Sequence, residues 1–155
     1  MDKYKIQIIG IEELKKIAPL FDAYRVFYGQ KSNLGAAKSY LKKRLADNDI
    51  ISFLAKNTKG EAVGFANIYK GFSSVSMTSI WILNDLYILP KDRRQGIAQQ
   101  IMIEVEGHAA RNDISRISLQ TAKDNLQAQK CYEKQGWEQN SFVTYQLNPK
   151  EKPKK

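Results

Sequence analysis

Among its 155 residues the chain has one cysteine, Cys131, and one histidine, His108. A single thiol has no intrachain partner, which excludes both a disulfide framework and a multi-cysteine metal site. No apolar run approaches the roughly 18 residues of a membrane span. Met1-Asp2-Lys3-Tyr4-Lys5 leads into an alternating segment instead of an apolar signal core. A cytoplasmic protein without a membrane partner is expected. Internal repeats, low-complexity inserts and linkers are missing too. The length suits one domain over residues 1–147, large enough to bury most of its apolar surface.

What the chain does have is positive charge, a formal +9. Asn148 to Lys155 holds four lysines and one glutamate, so +3 belongs to a short tail, 148–155, that reads as disordered. The remaining +6 suits nucleic acid, a small polyanion or simply a solvated basic surface, and charge alone does not choose. With neither an aromatic RNA platform nor a recognition-helix pattern, nucleic acid is not the expected partner.

Apolar periodicity sets out the elements. Lys3 to Ile9 alternates as a strand, and Ile11 to Phe27 has helical spacing through Leu14, Ile17, Phe21 and Tyr24, with a kink or break expected at Pro19. Ala36 to Leu45 reads as a second helix. Ile50–Lys56 and Ala62–Tyr69 form a hairpin about Asn57-Thr58-Lys59-Gly60. After Gly71 to Ser74, a β-rich run goes from Val75 to Leu89 and stops at Pro90. Gly96 to Arg111 is a helix, Ile114 to Thr121 a strand, Asn125 to Gln135 a helix and Phe142 to Leu147 a last strand. This β-α-α-β-β-β-α-β-α-β order predicts a mostly antiparallel sheet with helices on both faces. The unit from Leu83 to Thr121 should place its two strands parallel.

Within that unit, Lys91-Asp92-Arg93-Arg94-Gln95-Gly96-Ile97-Ala98 joins a strand to a helix. A helix start offers backbone N–H groups and partial positive charge, which suit an anion. Gly96 has no Cβ to hold a phosphate off the backbone, Ala98 is small, and Arg93 and Arg94 add directional donors. A P-loop ending and the three spaced glycines of a Rossmann turn are both absent. The pattern fits a diphosphate, although many surface turns carry arginines and one glycine.

Arg93-Arg94-Gln95-Gly96-Ile97-Ala98 resembles the Arg/Gln-x-x-Gly-x-Gly/Ala signature of the GNAT superfamily of acetyltransferases. Asn84-Asp85-Leu86-Tyr87-Ile88-Leu89-Pro90 before it resembles the family's central strand and its exit. Asn125 to Trp137 resembles the second motif, Asn-x-x-Ala-x-x-x-Tyr followed by a Gly-Trp turn. The resemblance covers residues 3 to 147 and extends to small bacterial members of unassigned substrate that carry Phe-Asp-Ala-Tyr-Arg, here Phe21 to Arg25. It implies an α/β (α+β) GNAT-like fold of six to seven strands, with central parallel strands splayed apart. It also implies acetyl-CoA as co-substrate, an amine acceptor and no metal; relatives are often homodimers. By this resemblance the amides of Arg94, Gln95, Gly96, Ile97 and Ala98, with Arg93, hold the pyrophosphate. Backbone groups of Leu86, Tyr87 and Ile88 pair with pantetheine, and Asn125 contacts the pantetheine arm or a bridging water.

The implied reaction is direct attack of a neutral amine on a thioester in a ternary complex, with a thiolate leaving. A lysine-like amine has a reference pKa of about 10.4, so its proton needs an acceptor. Tyr132 matches the tyrosine that protonates the thiolate; packing in the core is its other reading. Several relatives carry a glutamate where this chain has Asn84, and asparagine cannot accept a proton. Asp85 or Asp22, acting through water, is the candidate base. Asp85 points to the other face of its strand unless a bulge intervenes, and it would equally serve as a capping or loop-fixing carboxylate. His108 reads as packing or surface, and Cys131 as a buried, inert thiol. Candidate acceptor contacts are Tyr24, Arg25, Tyr28, Phe72, Ser73, Trp81 and Asn84. Core packing is the competing role for Tyr24, Tyr28 and Phe72. Arg25 suits a substrate carboxylate, whereas an acidic pocket would suit polyamines; the sequence leaves both open. An acyl-CoA-binding sensor without turnover is the alternative to an amine acetyltransferase.

Overall fold

The computed structural model describes residues 3–151. Strand β1 (Tyr4–Ile9) leads through a 3₁₀ turn to helices α1 (Leu14–Phe27) and α2 (Leu34–Ala46). Strands β2 (Ile50–Asn57), β3 (Ala62–Ser73) and β4 (Thr78–Ile88) follow, then a 3₁₀ turn at Pro90–Asp92, helix α3 (Ile97–Arg111), strand β5 (Ile117–Leu119) and helix α4 (Leu126–Lys134). Among the described residues, two compact units result, one ending at Gln120 and the other beginning at Thr121. The expected basic tail lies outside the described residues from Lys152 onward.

The sheet order is β1-β2-β3-β4-β5, antiparallel throughout except for the parallel β4–β5 pair. That parallel pair is what a β-α-β crossover through α3 requires. Consecutive strand residues face opposite ways, which assigns the layers. Leu54 packs with Ile17 and Phe21 of α1 and Leu41 of α2, whereas Phe53 meets the His108 ring of α3 at 5.6 Å between centroids. Helices α1 and α2 therefore cover one face and α3 the other. On α3 the buried Ile97, Ile101, Val105 and Ala109 recur every fourth residue, one stripe against the sheet.

Three expectations are corrected. The sheet has five strands among the described residues, not six or seven, because Phe142–Leu147 forms none. Phe142 and Val143 are adjacent, so they belong to opposite strand faces, and both stay exposed together with Tyr145. The break expected at Gly71 is absent: Gly71 pairs with Ile80 in the ladder. The Ile80 side chain lies 3.4 Å from where a Gly71 Cβ would be, filling its space. Helix α1 also runs on through Pro19 without interruption.

Candidate active site

The turn from β4 into α3 exposes an array of amides. Gly96 is the N-cap of α3 at φ 77°, and no side chain caps this helix. By contrast, Asn33 caps α2 through Ala36 N–H at 3.0 Å, and Asn125 caps α4 through Ala128 N–H at 3.3 Å. Arg94 is also left-handed, at φ 63°, a conformation that costs a non-glycine residue energy and is held only where the surroundings impose it. Alternating conformations of this kind gather successive N–H groups into an anion-binding concavity. From Arg94 to Gln99 the backbone N–H groups have no protein acceptor among the described residues. A Cβ on Gly96 would meet nothing within 4 Å, so that space is open. Arg93 is fastened over the rings of Tyr87 and Phe27, at 5.4 and 5.5 Å, and its Nε donates to the Ile88 carbonyl at 2.9 Å. It fixes the turn and brings its charge to the cradle.

Upstream, β4 has one free edge. The ladder to β5 covers only Trp81, Ile82 and Leu83. Leu89 N–H bonds the Val63 carbonyl at 2.9 Å, which fixes the phase of the ladder. Antiparallel pairing alternates, so Tyr87 directs its backbone at Phe65, while Leu86 and Ile88 direct theirs to the free edge. Of the three residues expected to pair with pantetheine, Leu86 and Ile88 turn backbone groups to this edge, where the Ile88 carbonyl already accepts from Arg93 Nε. Tyr87 instead places its ring in the core. From Asn84 to Ile88 this edge is about 13 Å long at 3.3 Å per residue.

A β-bulge sits at the upstream end of that edge. Ile68 pairs with Leu83 but Asn67 pairs with Asp85, leaving Asn84 as the extra residue. Bulges bend a strand and steepen its twist, which accounts for β5 parting from β4 here. The bulge also brings Asp85 onto the α1/α2 face, where it is 4% exposed. Ser52 Oγ donates to Asn67 Oδ1 at 2.7 Å, and Asn67 Nδ2 donates to Asp85 Oδ2 at 3.0 Å. Asn84 Nδ2 reaches Asp85 Oδ1 at 3.1 Å. The Tyr24 hydroxyl donates to the Asn84 carbonyl at 3.4 Å. Burial raises the Asp85 carboxyl above the ordinary carboxylate range, and hydrogen bonds from Asn67, Tyr24 and Asn84 oppose that rise. Burial and the charge of Asp85 push the Tyr24 phenol above its usual range, so it stays a donor.

Asp85 and Asn84 line a cavity of about 450 Å³ with Tyr24, Arg25, Tyr40 and Tyr69. Phe21, Ala36 and Ala37 complete its wall. A second cavity, of about 480 Å³ between Pro19, Leu20, Ala62 and Leu89, is larger but lacks convergent polar groups. Its two charged residues are already engaged: Lys16 pairs with Glu13 at 3.6 Å, and Glu61 accepts from Asn57 at 2.7 Å.

Of the expected acceptor contacts, the cavity gathers Tyr24, Arg25 and Asn84. Tyr28 lies outside it, exposed, its ring 5.0 Å from that of Tyr24. Phe72 and Ser73 lie at the far end of the β3–β4 hairpin, and Phe72 is 83% exposed. Trp81 is buried on the α3 face, because it is Ile82 that pairs with the cavity residue Tyr69. Asp22 is the loop-fixing carboxylate: Ser32 Oγ at 2.6 Å and Asn33 N–H at 2.8 Å occupy its two oxygens. Tyr40, Tyr69, Asn67 and Ser52 were not anticipated. Ser52 and Asn67 each interrupt an apolar strand with one polar residue, a signal that was readable.

In the second unit, Asn125 caps α4 through its carboxamide oxygen, and the Tyr132 ring lies 6.4 Å from that of Trp137. Cys131 is exposed, not buried: α4 has no buried residue. His108 is partly buried against Phe53 on α3, in line with a packing role. Among the described residues no three His, Cys, Asp or Glu side chains converge to hold a metal, and no helix is long and apolar enough to cross a membrane.

An uncapped helix start thus lies behind a strand with one free edge that ends at a bulge and a cavity. Residues 14–137 match the Acetyltransferase (GNAT) family, and the chain belongs to it. It is 41% identical over 133 residues to the Uncharacterized N-acetyltransferase YhfO of Bacillus subtilis (strain 168), covering 85% of this chain and 89% of that protein. A crystal structure described as that of a probable acetyltransferase superposes with a TM-score of 0.88 at 34% identity, covering 96% of this chain and 99% of that one. The fold is shared with AAC(6')-Iy in complex with the bisubstrate analog CoA-S-monomethyl-acetylneamine, at a TM-score of 0.76 and 20% identity over 95% of this chain and 99% of that one.

Proposed function

We propose that the chain is an acetyl-CoA-dependent N-acetyltransferase that acetylates a primary amine of a small molecule or peptide by direct attack in a ternary complex. The observation that carries this reading is the continuity of three features in one unit. The amides of Arg94 to Gln99 lead back along the free edge of β4 to the bulge, and the bulge opens on the cavity holding Asp85.

The residues fit acetyl-CoA. The amides of Arg94, Gln95, Gly96, Ile97 and Ala98 hold the pyrophosphate, with Arg93 and Arg94 adding charge. Leu86 and Ile88 offer backbone groups to the pantetheine arm. When bound, the thioester supplies the activated acetyl group. Asp85 takes the proton of the incoming amine. Its elevated pKa brings it nearer to neutrality, as an acceptor at physiological pH requires. Asn67 and Ser52 hold its carboxylate in place, and Tyr24 donates toward the same corner. Tyr132 is assigned, on its motif, as the proton donor to the departing thiolate.

A thiol-release assay with acetyl-CoA against amino acids, polyamines, aminoglycosides and peptide N-termini tests the proposal. Release dependent on one class of amine is expected. Tight acetyl-CoA binding with no release from any amine would favour the sensor reading instead.

A further inference from the structure

Two opposite charges line the same cavity without pairing. Asp85 is 4% exposed, and among the described residues its donors are all neutral: Asn67, Asn84 and Tyr24. The Nη1 of Arg25 is buried and has no hydrogen-bond partner among the described residues. No carboxylate lies within 4.0 Å of the Arg25 guanidinium among the described residues. Asp22, one turn earlier on α1, attracts Arg25, but its oxygens already accept from Ser32 and Asn33. With no carboxylate partner of its own, the Arg25 guanidinium is left to take one from a ligand in the cavity that it lines.

The geometry points to an aminocarboxylate, a small molecule of the amino-acid class, as the acceptor: its carboxylate pairs with Arg25 and its amine meets Asp85. This rests on the proposed acetyl transfer and names the substrate for the same cavity. The planar fork of arginine matches a carboxylate in two parallel bonds. A polyamine would bring a second cation to Arg25 and leave the guanidinium without a carboxylate. The cavity, about 450 Å³, accommodates a compact molecule, and Ala36 and Ala37 keep its α2 wall shallow. The rings of Tyr24, Tyr40 and Tyr69 suit an apolar side chain.

The test compares matched pairs on the full chain: phenylalanine with 2-phenylethylamine, leucine with 3-methylbutylamine, and lysine with 1,5-diaminopentane. Thiol release is read at saturating acetyl-CoA, with acetyl-CoA binding measured separately by calorimetry. The acid member of at least one pair should exceed its decarboxylated partner about tenfold or more in kcat/KM, because a site built for a charged group rejects the analogue that lacks it. Arg25→Gln should collapse that ratio toward one, mainly through KM, and Arg25→Lys should keep part of it. Preference for the decarboxylated member in every pair overturns the inference, as does a ratio that survives Arg25→Gln. Acetyl-CoA binding without release from any compound also overturns it, while the donor site stands. Failure to bind acetyl-CoA overturns the proposed function and this inference together. The wild-type comparison decides even where a variant folds poorly.

Discussion

Gly96 and Gly60 form a matched pair that separates backbone strain from ligand contact. Both adopt left-handed conformations, φ 77° and 79°, and a Cβ on either would meet nothing within 4 Å. Alanine at either position therefore adds no clash and incurs only the left-handed penalty, about 1 kcal/mol. For a chain of this size that is a fall of roughly 2–4 °C in Tm. The two positions differ in what shares the open space. Gly60 closes the β2–β3 hairpin, where its N–H bonds the Asn57 carbonyl at 3.0 Å. Gly96 stands in the middle of the unpaired amide array.

If that array holds a diphosphate, a methyl on Gly96 keeps the phosphate from its closest approach. Losing two charge-assisted N–H bonds at about 1.5 kcal/mol each amounts to about 3 kcal/mol, roughly a hundredfold in Kd. Gly96→Ala should then weaken acetyl-CoA about a hundredfold by titration calorimetry, and Gly96→Glu should abolish binding through bulk and like charge. Gly60→Ala should melt as early as Gly96→Ala yet bind like the parent. Equal acetyl-CoA affinity in Gly96→Ala and the parent would refute the cradle. An equal loss in Gly60→Ala would show that strain, not contact, had been measured.

Tyr132→Phe should lower kcat about a hundredfold while the calorimetric Kd for acetyl-CoA stays within about twofold, as removal of a proton donor does. Asp85→Asn should lower kcat/KM by about a hundredfold or more, and should remove the rising acidic limb of its pH profile, where the carboxyl loses its proton. The same variant tests stability. The raised pKa means the folded chain keeps this proton to higher pH than the unfolded chain. The stability it contributes is full below the ordinary carboxylate range and is lost as pH rises toward the elevated pKa. Asp85→Asn should flatten that decline in melts taken across the window. Exchanging the pair, Asn84→Asp with Asp85→Asn, should not recover kcat/KM, because only position 85 lies opposite Asn67.

Periodicity disclosed most of the fold because α1, α2 and α3 each have one buried stripe, and the β-α-β unit could close only with β4 and β5 parallel. The cradle was legible for a local reason: its conformation is written in Gly96 and the polar turn before it. The cavity at Asp85 was not. Tyr40 and Tyr69 come from α2 and β3, and their hydroxyls meet at 2.5 Å only once both elements pack. Tyr28, Phe72 and Trp81 had the right chemistry but lie outside the cavity, because strand phase and hairpin length decide where a side chain lands.

The bulge explains why the missing glutamate misleads. Continuing the ladder from Ile68 and Leu83 without interruption would set Asn84 opposite Asn67, and Asp85 opposite Ala66 on the α3 face. One extra residue shifts the register, so Asp85 takes the place opposite Asn67 and Asn84 moves to the exposed corner. The carboxylate then lies in the cavity one residue later in sequence than a straight strand would place it. Asn84 keeps a part, donating to Asp85 Oδ1 through its amide and accepting from Tyr24 through its carbonyl. A residue-by-residue comparison of the strand counts a lost acid. Counted through the ladder, an acid faces the cavity, and the bulge that puts it there is also where β4 parts from β5.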